Sequence, residues 1–279
     1  MIVPGSSSQS LAAALADELD EPLAPVSYDR FPDGESIARV PDIGDRAIVV
    51  AALTSDRTHI ELLQLQDAAR GAGAEDVVTV LPYLGYARQD RRFRDGDPIS
   101  ARAVARAIST GTDRVLVVSP HEERVCDYFE PAARAIDAAG RLAAPLPDDL
   151  VDPLFLAPDA GAVDVAERVR HRYGRGDCEA FEKTRHSGRE VDVAGEAVAA
   201  DRDVVIVDDI VATGSTVSET VGLLVGDARR VLVTCVHPVF AGNARTRLAR
   251  AGVDAVYATD TVERAESAVS VAPAIADVL

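Results

Sequence analysis

The segment Val204-Val-Ile-Val-Asp-Asp-Ile-Val-Ala-Thr-Gly-Ser-Thr216 is the most informative stretch of this 279-residue chain. It begins with four β-branched apolar residues, a pattern typical of a strand buried on both faces of a parallel sheet. Asp208 and Asp209 follow, then a Thr-Gly-Ser-Thr loop and apolar residues at helical spacing. Free backbone N–H groups at such a junction favour phosphate binding, and paired acids suit sugar hydroxyls and Mg²⁺. The segment therefore predicts a ribose-phosphate loop.

Two other nucleotide-binding loops are excluded. No Gly-x-x-x-x-Gly-Lys-Ser/Thr pattern occurs, so the segment is not a Walker-type loop. Gly71-Ala-Gly73 lacks a third glycine and precedes a strand pattern, so it predicts a helix end rather than a dinucleotide-binding turn. The alternative for residues 204–216 is an ordinary strand–turn–helix junction with a polar cap. A cap needs only one Asp or Ser, so the two acids and the hydroxyl side chains favour a binding loop.

The composition is strongly acidic, with 46 acidic and 29 basic residues, a formal net charge of −17 and a pI near 4.7. Nucleic acid is not expected as a partner, because a basic surface is missing. Lys183 is the single lysine. Acid-rich surfaces poor in lysine and aromatic residues are typical of strongly hydrated proteins in a salty cytoplasm, which predicts a halophilic source. A G+C-rich genome would favour similar residues and remains the alternative.

No apolar run approaches the length of a membrane span, and Met1–Gly5 already reads as a strand, so neither a membrane partner nor a signal peptide is expected. Cys126, Cys178 and Cys235 show neither metal-ligand spacing nor a disulfide pattern. Cys235 falls in an apolar strand pattern and is predicted to be a buried thiol. These features predict a cytoplasmic location.

Strand and helix patterns alternate, which predicts an α/β fold with parallel sheets covered by helices. The predicted strands lie near residues 2–3, 26–31, 47–53, 76–81, 114–118, 154–157, 180–184, 203–207, 230–236 and 255–259. The predicted helices lie near residues 8–19, 58–71, 100–109, 161–173, 215–226 and 243–251. Similar helix–strand–proline segments at 73–83 and 227–238 indicate a duplicated unit. The Pro-rich stretch 143–149 is the predicted boundary between domains 1–142 and 143–266, and a helix near 267–279 is assigned to the first domain.

The turn Phe31-Pro-Asp33-Gly34-Glu35 follows a strand pattern and is acidic. Taken alone, it predicts an ordinary type I or II turn. The segment Pro82-Tyr-Leu-Gly-Tyr-Ala-Arg-Gln-Asp-Arg-Arg-Phe93 is less ordinary, since it concentrates aromatic and arginine side chains in a chain that is 4% aromatic. Aromatic faces suit a purine and guanidinium groups suit polyphosphate oxygens, so a nucleotide site is favoured over a solvated basic loop.

Lys183 stands out because arginine replaces lysine everywhere else. A compact ammonium that a planar guanidinium cannot replace is one explanation, and chance placement is the other. Lys183 and Arg185, two residues apart on an extended segment, are predicted to face the same side. His121 follows a strand among acidic residues and suits a metal ligand, a nucleotide contact or a hydrogen-bonded loop residue.

Together these segments resemble the ribose-phosphate pyrophosphokinase family, and the resemblance covers nearly the whole chain in the family's order. It implies two tandem phosphoribosyltransferase-type domains, each a mainly parallel sheet flanked by helices. It further implies homo-oligomers in which the ATP site takes the Phe31–Glu35 hairpin from a neighbouring subunit.

The resemblance also assigns roles to residues of this chain. ATP contacts fall on Phe31, Asp33, Gly34, Glu35, Arg88, Gln89 and Asp90, catalytic roles on Lys183 and Arg185, and metal binding on His121 and Asp159. Ribose 5-phosphate contacts fall on Arg185, Asp208, Asp209, Ala212, Thr213, Gly214, Ser215 and Thr216. Ser119-Pro120 stands where relatives commonly have Asp-Leu, so one carboxylate near the metal is missing. Ala212 replaces an acidic or hydroxyl residue, a change the loop is expected to tolerate.

The expected reaction uses Mg²⁺ and transfers the β,γ-diphosphoryl group of ATP to the C1 hydroxyl of ribose 5-phosphate, giving phosphoribosyl pyrophosphate and AMP. Two alternatives remain open. A phosphoribosyltransferase shares the Asp-Asp loop but leaves the Arg-Gln-Asp and Lys-x-Arg segments unexplained. A catalytically silent regulator on the same fold is disfavoured by Lys183 and Arg185.

Overall fold

The computed structural model describes residues 1–186, 190–194, 197–225 and 227–279, with only the backbone given for the strand residues between 182 and 198 and for Val225. The chain divides into two compact units. Unit 1 contains Met1–Asp137, Thr261–Glu263 and Ser270–Leu279. Unit 2 contains Ala138–Asp260 and Arg264–Val269.

Unit 1 is built on a five-stranded parallel sheet with strand order β1-β4-β5-β6-β7 and a separate antiparallel hairpin, β2–β3. Its elements in chain order are β1 (Ile2–Pro4), α1 (Gln9–Leu19), β2 (Ser27–Arg30), β3 (Ser36–Arg39), β4 (Arg46–Val50), α2 (Asp56–Gly71), β5 (Asp76–Leu81), α3 (Ser100–Ser109), β6 (Arg114–Val118) and β7 (Ala132–Ile136).

The sheet of unit 1 forms because its strands are apolar on both faces. Residues 47–50 and 77–81 are fully buried between the helices. α2 begins with a capping box, in which Ser55 and Thr58 exchange side-chain and backbone hydrogen bonds. It ends at Gly71, so the predicted helix end is confirmed.

Unit 2 is built on a six-stranded parallel sheet with strand order β17-β16-β15-β13-β8-β9. It also contains the antiparallel hairpin β10–β11 and the parallel pair β12–β14. Its elements are β8 (Leu154–Ala157), α4 (Val163–Tyr173), β9 (Asp177–Ala180), β10 (Glu182–His186), β11 (Glu190–Ala194), β12 (Ala197–Val198), β13 (Asp203–Ile210), α5 (Ser215–Val221), β14 (Leu224–Val225), β15 (Arg230–His237), α6 (Ala244–Arg250), β16 (Ala255–Thr259) and β17 (Ser267–Val269).

Two predicted helices are shorter in the structure. The helix predicted over 215–226 ends at Val221, because Leu224–Val225 pairs with β12. The helix predicted over 267–279 is replaced by β17 and a five-residue helix, α7 (Ala272–Ala276). Pro273 lies in the first turn of α7, where its fixed φ favours helix initiation. Within unit 1, α7 packs against α1.

Cys235 lies in β15 and is fully buried, as predicted. Across the described ranges, no helix is both long enough and apolar enough to cross a membrane.

Candidate active site

Strand β13 carries the site segment. It lies between β15 and β8 in the middle of the sheet of unit 2, and residues 203–207 are fully buried. Its last residues reach the carboxyl edge of the sheet, where Asp208 is in register with Cys235 and Ile210 with His237. The carboxyl edge of a parallel sheet is where α/β proteins bind ligands. The strand predicted for residues 203–207 is confirmed, and it continues through the two acids.

The two acids at this edge lie near a third carboxylate, Asp159, and the charges of Asp209 and Asp159 act on Asp208. Burial raises the pKa of Asp208, and the carboxylates of Asp209 and then Asp159 raise it further. The Asp209 N–H donates to Asp208 Oδ1 at 2.9 Å and offsets part of this effect. A carboxylate held this way gains from a hydroxyl donor or a cation.

The loop from Asp208 to Thr216, called the phosphate loop below, turns into α5 through Gly214. Gly214 has a φ of 71°, and a Cβ there would lie 3.3 Å from the Leu248 side chain. A larger residue would therefore be strained and crowded. The Thr213 and Ser215 hydroxyls are 2.8 Å apart. The Ala212 carbonyl accepts a 2.8 Å hydrogen bond from the Ala241 N–H, which fixes the start of the loop.

The backbone N–H groups of residues 213–217 are available to a ligand. None of them donates a hydrogen bond to an acceptor in the part of the chain that the structure describes. The next amide, Ser218 N–H, is already bonded to the Gly214 carbonyl at 3.0 Å. Unsatisfied amides beside two hydroxyls offer donors to phosphate oxygens.

The predicted metal ligands lie in different units. Asp159 is in unit 2, where its Oδ1 accepts from Gly161 N–H at 3.0 Å and its charge acts on Asp208. His121 is an exposed residue of unit 1, after β6. The carboxylate oxygens of Asp159, Asp208 and Asp209 are the hard donors that Mg²⁺ prefers, so the residues fit that ion. Among the described residues, no group of three or more His, Cys, Asp or Glu forms a ready-made metal cluster.

The Phe31–Glu35 turn joins β2 and β3, so the hairpin shape is as predicted. The Phe31 N–H donates to the Glu35 carbonyl at 2.8 Å and the Gly34 N–H to the Phe31 carbonyl at 2.9 Å. Asp33 Oδ1 accepts from the Glu35 N–H at 3.1 Å. Phe31 is 44% exposed, which is unusual for a phenylalanine at the tip of a polar hairpin.

The second predicted ATP segment, Gly85–Asp90, is held tightly in unit 1. A Cβ on Gly85 would lie 2.2 Å from the Leu53 carbonyl oxygen, so only glycine fits. Tyr86 is half-exposed and its hydroxyl donates to Asp56 Oδ1 at 2.5 Å. Arg88 is exposed, and Gln89 Oε1 accepts from the Ser100 hydroxyl.

Asp90 differs from its neighbours because its carboxylate is already engaged. It is 4% exposed and accepts from Arg124 Nε at 2.7 Å and from the Arg124 Nη2. The Tyr128 hydroxyl donates to the Asp90 carbonyl at 2.7 Å. Arg124 was not found from the sequence. The only feature of the sequence that pointed to Arg124 was its position after a buried strand, and the chain contains many other arginines.

Lys183 and Arg185 lie on β10, opposite Val193 and Val191 of β11. The two residues lie on one strand, so the predicted extended segment is confirmed, and that they face the same side stays a prediction. Their side chains lie outside the described residues, as do residues 187–189, which follow β10 in the chain.

Three comparisons bear on this arrangement. The model of the N-terminal domain of ribose phosphate pyrophosphokinase matches residues 1–111. A ribose-phosphate pyrophosphokinase from Halobacterium salinarum is 60% identical over the full length of both chains, which fits the salt-adapted composition. One from Methanopyrus kandleri is 39% identical, over 99% of this chain and 97% of the relative.

A solved structure agrees with these relatives. The crystal structure of phosphoribosylpyrophosphate synthetase from Mycobacterium smegmatis matches with a TM-score of 0.83 and 28% identity, over 99% of this chain and 96% of that chain. The predicted α/β fold with two tandem phosphoribosyltransferase-type domains is thereby confirmed. The agreement in sequence and fold extends from end to end, and the chain belongs to the ribose-phosphate pyrophosphokinase family.

Proposed function

We propose that the chain transfers the β,γ-diphosphoryl group of ATP to the C1 hydroxyl of ribose 5-phosphate, giving phosphoribosyl pyrophosphate and AMP. The observation that carries this proposal is the phosphate loop, where Asp208, whose pKa is raised by burial and by Asp209, adjoins five backbone amides without acceptors in the described chain. Family membership over the whole chain supports the same reaction.

Ribose 5-phosphate is bound by residues on both sides of this loop. The amides of residues 213–217 and the Thr213, Ser215 and Thr216 hydroxyls hold the 5-phosphate, since they offer donors to its oxygens. Asp208 and Asp209 accept hydrogen bonds from the ribose hydroxyls. Ala212 acts through its backbone rather than its side chain: its carbonyl accepts a hydrogen bond from the Ala241 N–H, which fixes the start of the loop.

ATP is bound by residues of unit 1. The exposed ring of Phe31 offers a face for adenine, and Asp33, Gly34 and Glu35 shape the hairpin around it. The exposed Arg88 offers a guanidinium for polyphosphate oxygens, with Gln89 beside it. Asp90 supports this segment by its bonds to Arg124. We assign the Phe31–Glu35 hairpin to the ATP site of a neighbouring subunit in a homo-oligomer, and the chain to the cytoplasm.

In the reaction, the C1 hydroxyl oxygen attacks the β-phosphorus and the bond to the α-phosphate oxygen breaks, so AMP leaves. Catalysis consists mainly of aligning the two substrates and neutralising developing negative charge. Lys183 and Arg185 on β10 supply positive charge to the transferred group, and Arg185 also contacts ribose 5-phosphate. His121 and Asp159 would hold Mg²⁺, which supplies charge neutralisation to the polyphosphate. We further propose that domain 1–142 binds ATP and that domain 143–266 binds ribose 5-phosphate.

The experiment that tests this function follows AMP release by the purified protein with ATP, ribose 5-phosphate and Mg²⁺ in molar KCl. We expect AMP that depends on both substrates. Diphosphate release from phosphoribosyl pyrophosphate and a base, without AMP in the first assay, would identify a phosphoribosyltransferase instead. Binding of the substrates without turnover in either assay would identify a regulator.

Lys183 is tested separately. Lys183→Ala should lower kcat by about a hundredfold or more, because one charge-stabilising contact is lost, with little change in substrate affinity. Lys183→Arg is the matched variant, since it keeps the charge and changes the shape. An unchanged kcat in Lys183→Ala would remove Lys183 from the mechanism.

A further inference from the structure

A groove between α5 and α6, the α5–α6 groove below, has a composition unlike the rest of this acidic chain. It has a volume of about 370 Å³ and is lined by Ser218, Asn243, Thr246, Arg247, Arg250 and Ala251. None of these residues belongs to a site predicted from the sequence. No acidic residue is among the described residues that line the groove, although acidic residues outnumber basic ones by 46 to 29 in the chain.

The lining consists almost entirely of hydrogen-bond donors. The guanidinium groups of Arg247 and Arg250 can only donate, and the Asn243 amide and the Ser218 and Thr246 hydroxyls can donate as well. Such a set suits a ligand rich in acceptor oxygens and negative charge. A phosphoryl group has this chemistry, and arginine binds it with two parallel N–H···O hydrogen bonds.

The arginines of α6 differ in their partners. Arg245 Nε lies 2.5 Å from Glu266 Oε1 and Arg245 Nη2 lies 2.9 Å from Glu266 Oε2, so this guanidinium is fully paired. The guanidinium groups of Arg247 and Arg250, in contrast, form no hydrogen bond or ion pair with any residue of the described ranges. The side-chain donors of these two arginines therefore have no acceptor among the described residues.

The helix dipole explains only part of this arrangement. Arg247 and Arg250 lie in the last turn of α6, where positive charge is favourable. They are three residues apart and so share one face, where two like charges repel each other. The dipole also gives no reason for the Ser218, Asn243 and Thr246 donors around them. An anion between the guanidinium groups accounts for both features.

We infer that the α5–α6 groove binds the phosphoryl group of a small phosphorylated ligand, either inorganic phosphate or a phosphate monoester. The site is separate from the phosphate loop, which uses residues 208–216. A volume of about 370 Å³ exceeds that of one phosphate ion, so the groove has room for an ester group beyond it.

Calorimetric titration of the full-length protein with potassium phosphate in molar KCl tests this inference. In the variant Arg247→Gln/Arg250→Gln we expect one class of phosphate sites to be lost or weakened at least about tenfold. Arg245→Gln is the matched control, since it removes the same charge from the same helix, and it should change phosphate affinity by less than about twofold. Equal phosphate binding by the double variant and the unmodified protein would overturn the inference.

Glycerol 3-phosphate distinguishes the two sources of the phosphoryl group. Loss of phosphate binding alone in the double variant identifies inorganic phosphate, and loss of both ligands identifies an ester site; both results support the inference. In the unmodified protein, phosphate should slow amide hydrogen exchange at residues 243–251. Protection confined to residues 213–217 would overturn the inference and would leave the proposed ribose 5-phosphate loop intact.

Discussion

Strand β13 carries aspartates near both ends, and their surroundings are opposite. At the amino end, burial alone would raise the pKa of Asp203, but hydrogen bonds from Arg230 and from the Val151 N–H, with the charges of Arg230 and Arg229, lower it. At the carboxyl end, burial and two neighbouring carboxylates raise the pKa of Asp208. The charge at the amino end of the strand is therefore neutralised by groups of the protein itself.

The difference distinguishes an acid that the fold neutralises, Asp203, from one that we propose to bind a ligand, Asp208. Asp203 is fully buried, with Arg230 Nη2 at 2.7 Å and the Val151 N–H at 2.6 Å from its Oδ2, so its carboxylate is satisfied by the protein. Asp208, in contrast, carries an electrostatic penalty from burial and from the carboxylates of Asp209 and Asp159. A perturbed carboxylate at the carboxyl edge of a parallel sheet is typical of a ligand-binding group, which supports the role in ribose binding that we propose for Asp208.

The largest expected effect is on turnover. Asp208→Asn/Asp209→Asn should reduce kcat/KM by about a thousandfold, or about 4 kcal/mol, because the ribose hydroxyls lose both charged acceptors. AMP release in molar KCl measures this. Asp148→Asn, at an exposed acid, is the control and should leave turnover unchanged. A double variant with full activity would show that the two ends of β13 do not differ in function.

The next effect is on folding. Asp203→Asn should lower the free energy of unfolding by roughly 2–3 kcal/mol, since the buried charge partner of Arg230 is lost. The lowered pKa means that the carboxylate stabilises the fold above its unfolded pKa and that this stabilisation is lost as pH falls through the folded pKa. Urea unfolding at several pH values should therefore give converging curves below about pH 4. A constant difference at all pH values would contradict the assigned charge pair.

Binding of Mg²⁺ at the carboxyl end of β13 should stabilise the protein, and this stabilisation should not depend on Asp203 at the amino end. At about ten times its dissociation constant, Mg²⁺ should raise the free energy of unfolding by about 1.4 kcal/mol. Thermal unfolding with and without Mg²⁺, at constant ionic strength, measures this increment. The increment should disappear in Asp159→Asn and persist in Asp203→Asn. Persistence in both variants would move the metal away from the carboxyl edge.

The smallest expected effect is on the free energy of unfolding of Asp208→Asn, and it has the opposite sign to the effect of Asp203→Asn. Asp208→Asn should stabilise the ligand-free, metal-free protein by about 1 kcal/mol near pH 8. A raised folded pKa means that stability is lost as pH rises from the unfolded pKa through the folded one, so the gain should vanish near pH 4 and below. Denaturant unfolding of the two proteins at both pH values measures it. Destabilisation by Asp208→Asn near pH 8 would contradict the electrostatic description.

The central strands and their following loops could be predicted from the sequence because their signals are local. Four β-branched residues before Asp208, and the apolar runs at β5, β6 and β15, specify buried parallel strands without reference to the rest of the chain. The hairpin at Phe31–Glu35 likewise follows from its own turn residues.

The missed elements depend on long-range pairing. β7, Ala-Ala-Arg-Ala-Ile, has a composition that favours helix, and it becomes a strand because β6 offers a free edge. β14 ends the predicted helix early because it pairs with β12. The Asp90–Arg124 contact joins residues 34 positions apart, so Asp90 could be read from the sequence only as a ligand contact. Asp203 was passed over for the same reason, since its partners lie on other segments.

The buried thiol of Cys235 offers a practical reporter for unit 2. Burial and then the nearby Asp208 raise the pKa of Cys235 well above that of a free cysteine. Alkylating reagents therefore cannot reach the sulfur in the folded protein, and the reactive thiolate does not form there. Modification of Cys235 would require the central sheet to open. Pulsed alkylation followed by mass spectrometry would therefore measure how often that opening occurs in different salts, without any introduced label.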